Sequence, residues 1–476
     1  REARRRELAE RYRTPILQFL RQGRSVELAG PAYVEALVAF YERRYDEALT
    51  RVRAAAAQNP WPYEERLLEA EVLRDRGVEA AERGRYDEAQ DLFRRAESVY
   101  RGVLEIARSF PSAHGALCRL AVHRLDLAVR AGQDPEPPWE AGRTLCQRAL
   151  QVDPEDAYTY ARLAELHWRW ALYEYQHGQD PLATLEAARR AAETVIRLRP
   201  DQAIGYEVLG DVYEIQGSYM MAWGMDAGPA FEKALENYQK ALQISPDAAH
   251  YNMVGLMYGN LLQYELERGR APADRLRRAA EAFQMALRLN PSLYNAYSNL
   301  GRAYRFWGES ELRRGRDPTT SLAQALDAYR RSLQINPNHI VAYFGLGKTH
   351  QLVAEYRMAT CASPEEALQA SVEAFREALR RDARYIFALY ELGQTFGLQA
   401  RHQMTRGQDP WPTARQALEF LDRAVEVNPR EASAYAVRSR VYQTLALDAL
   451  RRGEDPAEFL NRAVADGQAA RQVSFL

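Results

Sequence analysis

Apolar residues recur along this chain at helical spacing, in blocks divided by two kinds of polar punctuation. Between Thr319 and Ile335, Leu322, Ala325, Leu326, Tyr329 and Leu333 follow one another at steps of three or four, lining one face of a helix. Upstream, Tyr297 to Arg314 contains no proline and places Leu300, Tyr304 and Leu312 with the same period. The two blocks meet at Gly315-Arg316-Asp317-Pro318. Glycine just past a helix end takes the left-handed conformation that satisfies the last carbonyls. Asp then accepts from free amides as an N-cap, and proline at the first helical position brings a preset φ. A second stop follows at Asn336-Pro337, where proline forbids simple continuation. The pattern predicts a long helix, a short hinge, a second helix and a tight turn.

This unit is repeated. The hinge string returns at Gly132, Gly178, Gly315, Gly407 and Gly453, with steps of 46 residues or multiples of it, except that Gly178 to Gly315 spans 137. The second mark keeps the same beat at Asp153-Pro154, Arg199-Pro200, Ser245-Pro246, Asn290-Pro291, Asn336-Pro337 and Asn428-Pro429, with Asp382-Ala383 in the vacant slot. The early units drift, since Pro60 to Pro111 is 51 residues and Pro111 to Pro154 is 43. Self-similarity at such a period means stacked repeats whose function lies on the surface that stacking creates.

A 46-residue period first suggests HEAT or armadillo units of about 40–47 residues. The identities within the unit point elsewhere. Tyr297-x2-Leu300-Gly301-x2-Tyr304, then Ala325-x3-Tyr329, then Pro337 resembles the tetratricopeptide signature. Tyr206, Leu209, Gly210, Tyr213, Ala234, Tyr238 and Pro246 repeat it, and looser copies run on to Pro429 with His350 and Ser371 as departures. Tyr297 and Ala325 stand 28 apart, roughly a dozen more than in a standard unit, so the helices on both sides of the hinge are expected to be lengthened. The resemblance implies an all-α fold, a right-handed superhelical α-solenoid of stacked helix-turn-helix repeats. We expect a helical tether over 1–30, irregular tetratricopeptide-like repeats over 31–111, extended units over 112–429 and a C-terminal capping repeat over 430–476.

Composition narrows the function. Lys plus Arg number 64 against 65 Asp plus Glu, a formal charge of −1. That gives no whole-chain argument for nucleic acid, which needs a basic stripe. No apolar run approaches the length of about 20 that spans a bilayer. Cys118, Cys146 and Cys361 are odd in number and form no CxxC pair; they read as buried structural thiols and favour a reducing cytoplasm. No phosphate loop, HExxH, EF-hand or GxSxG pattern occurs. His123-Arg124-Leu125-Asp126 breaks the kinase His-Arg-Asp order, and His167 and His350 fall in packing slots. The expectation is a chain that is not an enzyme, with no cofactor and no metal.

In tetratricopeptide arrays the first helices line a groove that accepts peptides or helices. The resemblance carries this role to Asn299, Arg302 and Arg305, to Phe344, Lys348 and Gln351, and to Glu207, Asp211 and Glu214. Sign separation from the acidic trio to the basic group would orient a charged ligand. Lys348 stands out because the other lysines are Lys233 and Lys240 alone. One hinge departs from the rest: Met220, Met221, Trp223 and Met225 replace charged residues, and Pro229 comes two residues late. Methionine suits adaptable surfaces, and such a patch marks either a contact site or packing against a neighbouring unit.

The opening adds a narrower resemblance. Tyr12-Arg13-Thr14-Pro15-Ile16-Leu17, Tyr45-Asp46-Glu47-Ala48-Leu49 and Asn59-Pro60-Trp61-Pro62-Tyr63-Glu64 are similar to the region following the catalytic domain in large bacterial serine/threonine protein kinases, notably of myxobacterial type. The resemblance implies a docking or sensor region that binds a protein or peptide. A free-standing adaptor or cochaperone, and a nucleic-acid-binding helical array, are the competing expectations.

Overall fold

The structure, a computed structural model, describes residues 31–59, 61–177 and 179–474. Among the described residues are twenty α-helices and no β-strand. They pair in chain order into hairpins: α1 (Pro31–Tyr41) with α2 (Tyr45–Gln58), α3 (Tyr63–Glu82) with α4 (Tyr86–Ile106), α5 (Pro111–Arg130) with α6 (Glu136–Val152), α7 (Ala157–Gln176) with α8 (Leu182–Leu198), and α9 (Ala203–Ala222) with α10 (Gly228–Ile244). There follow α11 (Ala248–Glu267) with α12 (Ala273–Leu289), α13 (Tyr294–Arg313) with α14 (Thr319–Ile335), α15 (Ile340–Ala359) with α16 (Glu365–Arg381), α17 (Ile386–Thr405) with α18 (Trp411–Val427), and α19 (Ala432–Arg452) with α20 (Ala457–Ser474). The chain divides between Pro246 and Asp247 into two compact units. Within each, successive first helices touch one another, and each second helix packs on the first helix of the next hairpin. The fold is an all-α solenoid of helical hairpins. The tether expected over 1–30 lies outside the described residues.

The period has a simple mechanical origin. From α5 to α18 every first helix has 20 residues and every second helix 17. The first hairpin is shorter, with helices of 11 and 14 residues. A five-residue hinge and a four-residue turn complete 46, and the turn Ser245–Asp247 has three residues, which accounts for the single short period. The apparent drift to 43 is a matter of phase. Pro111 opens α5, three residues later in the repeat than Pro154, which lies within the turn after α6; the hairpins themselves step by 46 from Pro111 to Ala157.

The hinges work largely as expected. Gly315 takes φ +67°; its amide donates to the Leu312 carbonyl at 3.0 Å and the Arg316 amide to Glu311 at 2.9 Å, the paired bonds of a Schellman closure. Asp317 then accepts from the Thr319 amide at 2.9 Å. The helix begins one residue later than expected, at Thr319, because Pro318 supplies the first helical carbonyl, to Leu322 at 2.9 Å. In the turns, Asn336, Asn428 and Asp382 each accept from the amide two residues on, at 3.1, 2.9 and 2.9 Å. The side-chain oxygen carries this bond, so Asp382-Ala383 closes the turn without proline.

One expectation is corrected. Cys118 of α5 and Cys146 of α6 are not separate thiols but a disulfide with Cα atoms 4.6 Å apart. Both are fully buried, and the bond removes the support that the cysteines gave to a reducing compartment.

Candidate docking groove

The signature residues occupy the earlier turns of each first helix, and the inserted turns lie beyond them. In the second unit those added turns, together with Gln394 of α17 and Val437, Arg440 and Val441 of α19, build a groove. Leu312 of α13, Met358 of α15, Leu398 of α17, and Val441 and Leu447 of α19 give an apolar lining, and the open cavity they bound with their neighbours is about 770 Å³. That is the size of a ligand site. Gly397 lets the helices close up: a Cβ there would meet Val441 Cγ2 at 3.1 Å.

Charge sits on the walls. Arg401 and Arg440 are exposed, and Arg440 donates to Gln394 Oε1 at 3.3 Å. Glu355 also lines the cavity. Burial raises its carboxyl above the ordinary range, opposed by Lys348 and Arg401 and reinforced by Glu309 and Glu391. The groove is thus apolar along its floor and mixed in sign along its edges. Among the described residues no group of acidic, histidine or cysteine side chains could hold a metal.

The residues expected to face a ligand are placed as follows. Asn299 is half-buried and donates to Asn252 of the preceding first helix at 3.2 Å. Arg302 reaches Asn260 at 2.8 Å. Arg305 is buried, with its guanidinium over the Phe306 ring at 4.3 Å. Phe344 packs against Phe375, Tyr385 and Phe387 at centroid distances of 5.8, 5.9 and 6.3 Å. Lys348 binds Glu391 of the next first helix at 2.7 Å, and Glu391 is itself buried. Gln351 is buried and donates to the Glu391 carbonyl and to Thr395 Oγ1, each at 2.8 Å. Ser371, which stands where other units have alanine, donates to the Gly347 carbonyl at 3.0 Å. Asn299, Arg302, Lys348 and Gln351 thus link first helices to one another, Ser371 ties a second helix to its first, and these residues do not line the cavity.

In the first unit, Tyr238 of α10 donates to Asp211 at 2.7 Å and to Glu214 at 3.2 Å, while Glu207 is half-buried on the same helix, α9. Asp211 is pushed up to about 7, chiefly by burial, with Glu214, Glu207 and Glu165 adding to the effect and the Tyr238 bond opposing it. The methionine-rich hinge is partly open: Met220 and Met221 are half-buried, and Trp223 and Met225 are exposed. Trp223 lies 6.1 Å from Tyr219, which meets Tyr175 edge-on at 6.3 Å. Both packing and display are therefore present at this hinge. His167 and His350 are lowered to about 4, first by burial, as packed imidazoles should be.

Sequence reasoning missed Met358, Leu398, Arg401, Arg440 and Val441. For Met358, Leu398 and Arg401 the available signal was the insertion itself, because residues added past the signature must face something new; Arg440 and Val441 lie within the signature span of α19 and carried no such mark.

No protein-family model matches the chain, and no curated protein matches it in sequence. Similar solved structures include YrrB, described as a tetratricopeptide protein with an unusual peptide-binding site (17% identity, TM-score 0.28, covering 51% of this chain and 95% of that one). Yeast Tom70 is 11% identical with TM-score 0.43, over 98% of this chain and 95% of its own. A human IFIT1 dimer with m7Gppp-AAAA is 14% identical with TM-score 0.44, over 95% and 94%. Identities this low concern the fold alone. No helix among the described residues is long and apolar enough to cross a membrane.

Proposed function

We propose that this chain is a non-catalytic protein-interaction scaffold that holds a peptide or protein segment in the groove of its second unit. The observation that supports this most directly is the open cavity of about 770 Å³ between Leu312 and Leu447, with an apolar floor and the arginines Arg401 and Arg440 at its edge. Buried apolar anchors surrounded by polar groups are how such surfaces gain affinity. A protein ligand rather than nucleic acid suits the first unit as well, where Glu207, Asp211 and Glu214 gather acidic groups on α9 in place of the basic stripe that nucleic acid needs.

Selection from a displayed peptide library tests the reading. Selected peptides should bind wild type and lose about tenfold or more in affinity, at least 1.4 kcal/mol, when Leu398→Glu and Arg401→Glu are combined. Equal affinity for the variant, or no enrichment at all, would remove the groove from the proposal.

We further assign the array to the docking or sensor region of a bacterial serine/threonine protein kinase, on the strength of the opening strings around Tyr12, Tyr45 and Trp61. Natural sequence upstream of Arg1 is the check, and a reading frame there without a kinase catalytic loop ends this assignment.

A further inference from the structure

We infer that the first unit carries a further binding site, for a carboxylate, where Arg74 of α3, Tyr100 of α4 and Arg119 of α5 come together. Arg74 is 7% exposed and Tyr100 0%. Among the described residues, Arg74 Nη1, Tyr100 Oη and Arg119 Nε are buried without a hydrogen-bond partner. All three carry hydrogens to donate, and a buried donor without an acceptor is costly.

Neighbouring acids satisfy only part of this set. Arg74 donates through Nε and Nη2 to Asp75 Oδ1 at 2.9 and 2.6 Å. Glu71 Oε1 accepts from Arg119 Nη2 at 2.8 Å and stands 3.5 Å from Arg74 Nη1, an ion pair too long for a hydrogen bond. The three groups sense one another. Arg119 is lowered first by burial and then by Arg74, and burial raises the Tyr100 hydroxyl with Arg74 and Arg119 opposing.

Another hairpin of the same unit shows how such a hydroxyl is satisfied. Gly77 faces Phe93 as Gly217 faces Phe231, where a Cβ would meet the ring at 2.5 and 2.6 Å. Tyr100 and Tyr238 each follow that phenylalanine by seven residues and so share a slot. Tyr238 donates to Asp211 at 2.7 Å and to Glu214 at 3.2 Å. On α3 the corresponding positions are Glu71 and Arg74. One acid is thus turned toward α5 and the other is replaced by a donor. A carboxylate from a ligand, standing to Tyr100 as Asp211 stands to Tyr238, brings lone pairs for all three donors and a charge for the two guanidinium groups. Arg119 is the outer wall of the site, with 39% of its side chain exposed. This site is separate from the groove of the second unit and does not depend on it.

The probe is acetate, titrated into the full chain with isotope-labelled arginine. The readout is the magnetic resonance signal of the Arg119 Nε–H, identified by its loss in Arg119→Lys. A saturable shift is expected, with affinity lowered about tenfold in Tyr100→Phe, which keeps the ring, and unchanged in Tyr329→Phe, the same slot of α14. Matching circular dichroism spectra verify the fold of both variants. The capped tripeptide acetyl-Ala-Asp-Ala-amide is the second arm. Tighter binding than acetate makes an acidic side chain of a docked segment the source, and equal or weaker binding makes it a free carboxylic acid; either result supports the site. No saturable shift with either probe, or equal affinity in Tyr100→Phe, overturns the inference. So does a shift given by inorganic phosphate alone, which would make the ligand a phosphate.

Discussion

Cys118 and Cys146 hold, 28 residues apart, the two positions that Gly301 and Tyr329 hold in the hairpin of α13 and α14. In that hairpin the ring lies against the glycine so closely that a Cβ on Gly301 would meet Tyr329 at 3.1 Å. The same pairing recurs as Gly210 with Tyr238, Gly255 with Phe283 and Gly347 with Phe375. A covalent bond thus replaces a ring-on-glycine contact in one hairpin of the series.

Breaking that bond should weaken the first unit more than its buried area suggests. For a loop closed over a separation of 28 residues, the chain-entropy cost of losing the cross-link is about 3–4 kcal/mol. Cys118→Ser/Cys146→Ser should therefore melt earlier than wild type, and Cys118→Gly/Cys146→Phe should recover part of the loss by restoring the ring. Calorimetry of the reduced and oxidised protein reads the effect directly. Identical melting in both states would show that the hairpin does not rely on the bond.

The glycine slots should rank by how near the ring comes. At Gly210 a Cβ would stand 2.5 Å from Tyr238, against 3.1 Å at Gly301. Tyr238 is buried to the ring edge and cannot swing away without leaving Asp211. We expect Gly210→Ala to cost about 1–3 kcal/mol and Gly301→Ala distinctly less, while Ala325→Leu, at a fully buried position, belongs with the costly group. Urea titration of the three variants orders them; a Gly301→Ala variant weaker than Gly210→Ala would contradict the packing described.

Much of this was legible in the chain because each hinge carries its own chemistry. Gly315, Asp317 and Pro318 announce a stop and a start, and the hairpins fall where those residues require. The signature also located the small and aromatic slots. It did not reveal that Cys118 and Cys146, in apolar slots on the two helices of one unit, share the spacing of Gly301 and Tyr329 and so face one another, since such slots suit separate buried thiols equally well. The docking residues were harder. Transferring groove positions from the family put Arg305 and Gln351 on the ligand-facing side, but both are buried, and Glu391 and Thr395 of the next first helix lie alongside Gln351 and enclose it. Contact between first helices is a tertiary property, and a one-dimensional period cannot express it.

Cys361 offers a stabilising substitution. It stands 46 residues after Gly315, in the same hinge position, and adopts φ +59° where Gly315 has φ +67°. A side chain in that region is strained, and at Gly315 an added Cβ would have nothing within 4 Å, so the cost is one of backbone alone. Cys361→Gly should raise stability of the second unit by about 1 kcal/mol and Gly315→Ala should lower it by a similar amount. Paired thermal melts decide it: a Cys361→Gly variant less stable than wild type would mean the thiol makes up for its strained backbone.

The contribution of Asp211 to the pH dependence of the first unit should run opposite to that of most carboxylates. Asp211 is raised from 3.8 to about 7, so between those values the folded chain holds a proton that the unfolded chain has released. Stability contributed by the protonated carboxyl is complete below 3.8, declines as pH rises, and is lost above about 7. Tyr238, raised well above its ordinary value by burial and by Asp211 and Glu214, remains a donor throughout and is not the titrating group. Asp211→Asn keeps an acceptor for the Tyr238 hydroxyl at 2.7 Å without a charge to bury beside Glu207, Glu214 and Glu165. His123 and His167 of the same unit, lowered by burial to about 3 and about 4, act the other way and cost stability as pH falls below 6.5, so the Asp211 contribution is read by difference. Asp211→Asn should raise the melt of the first unit at pH 8 and change it much less at pH 5. A variant that shifts the melt equally at both pH values would place the responsible proton elsewhere.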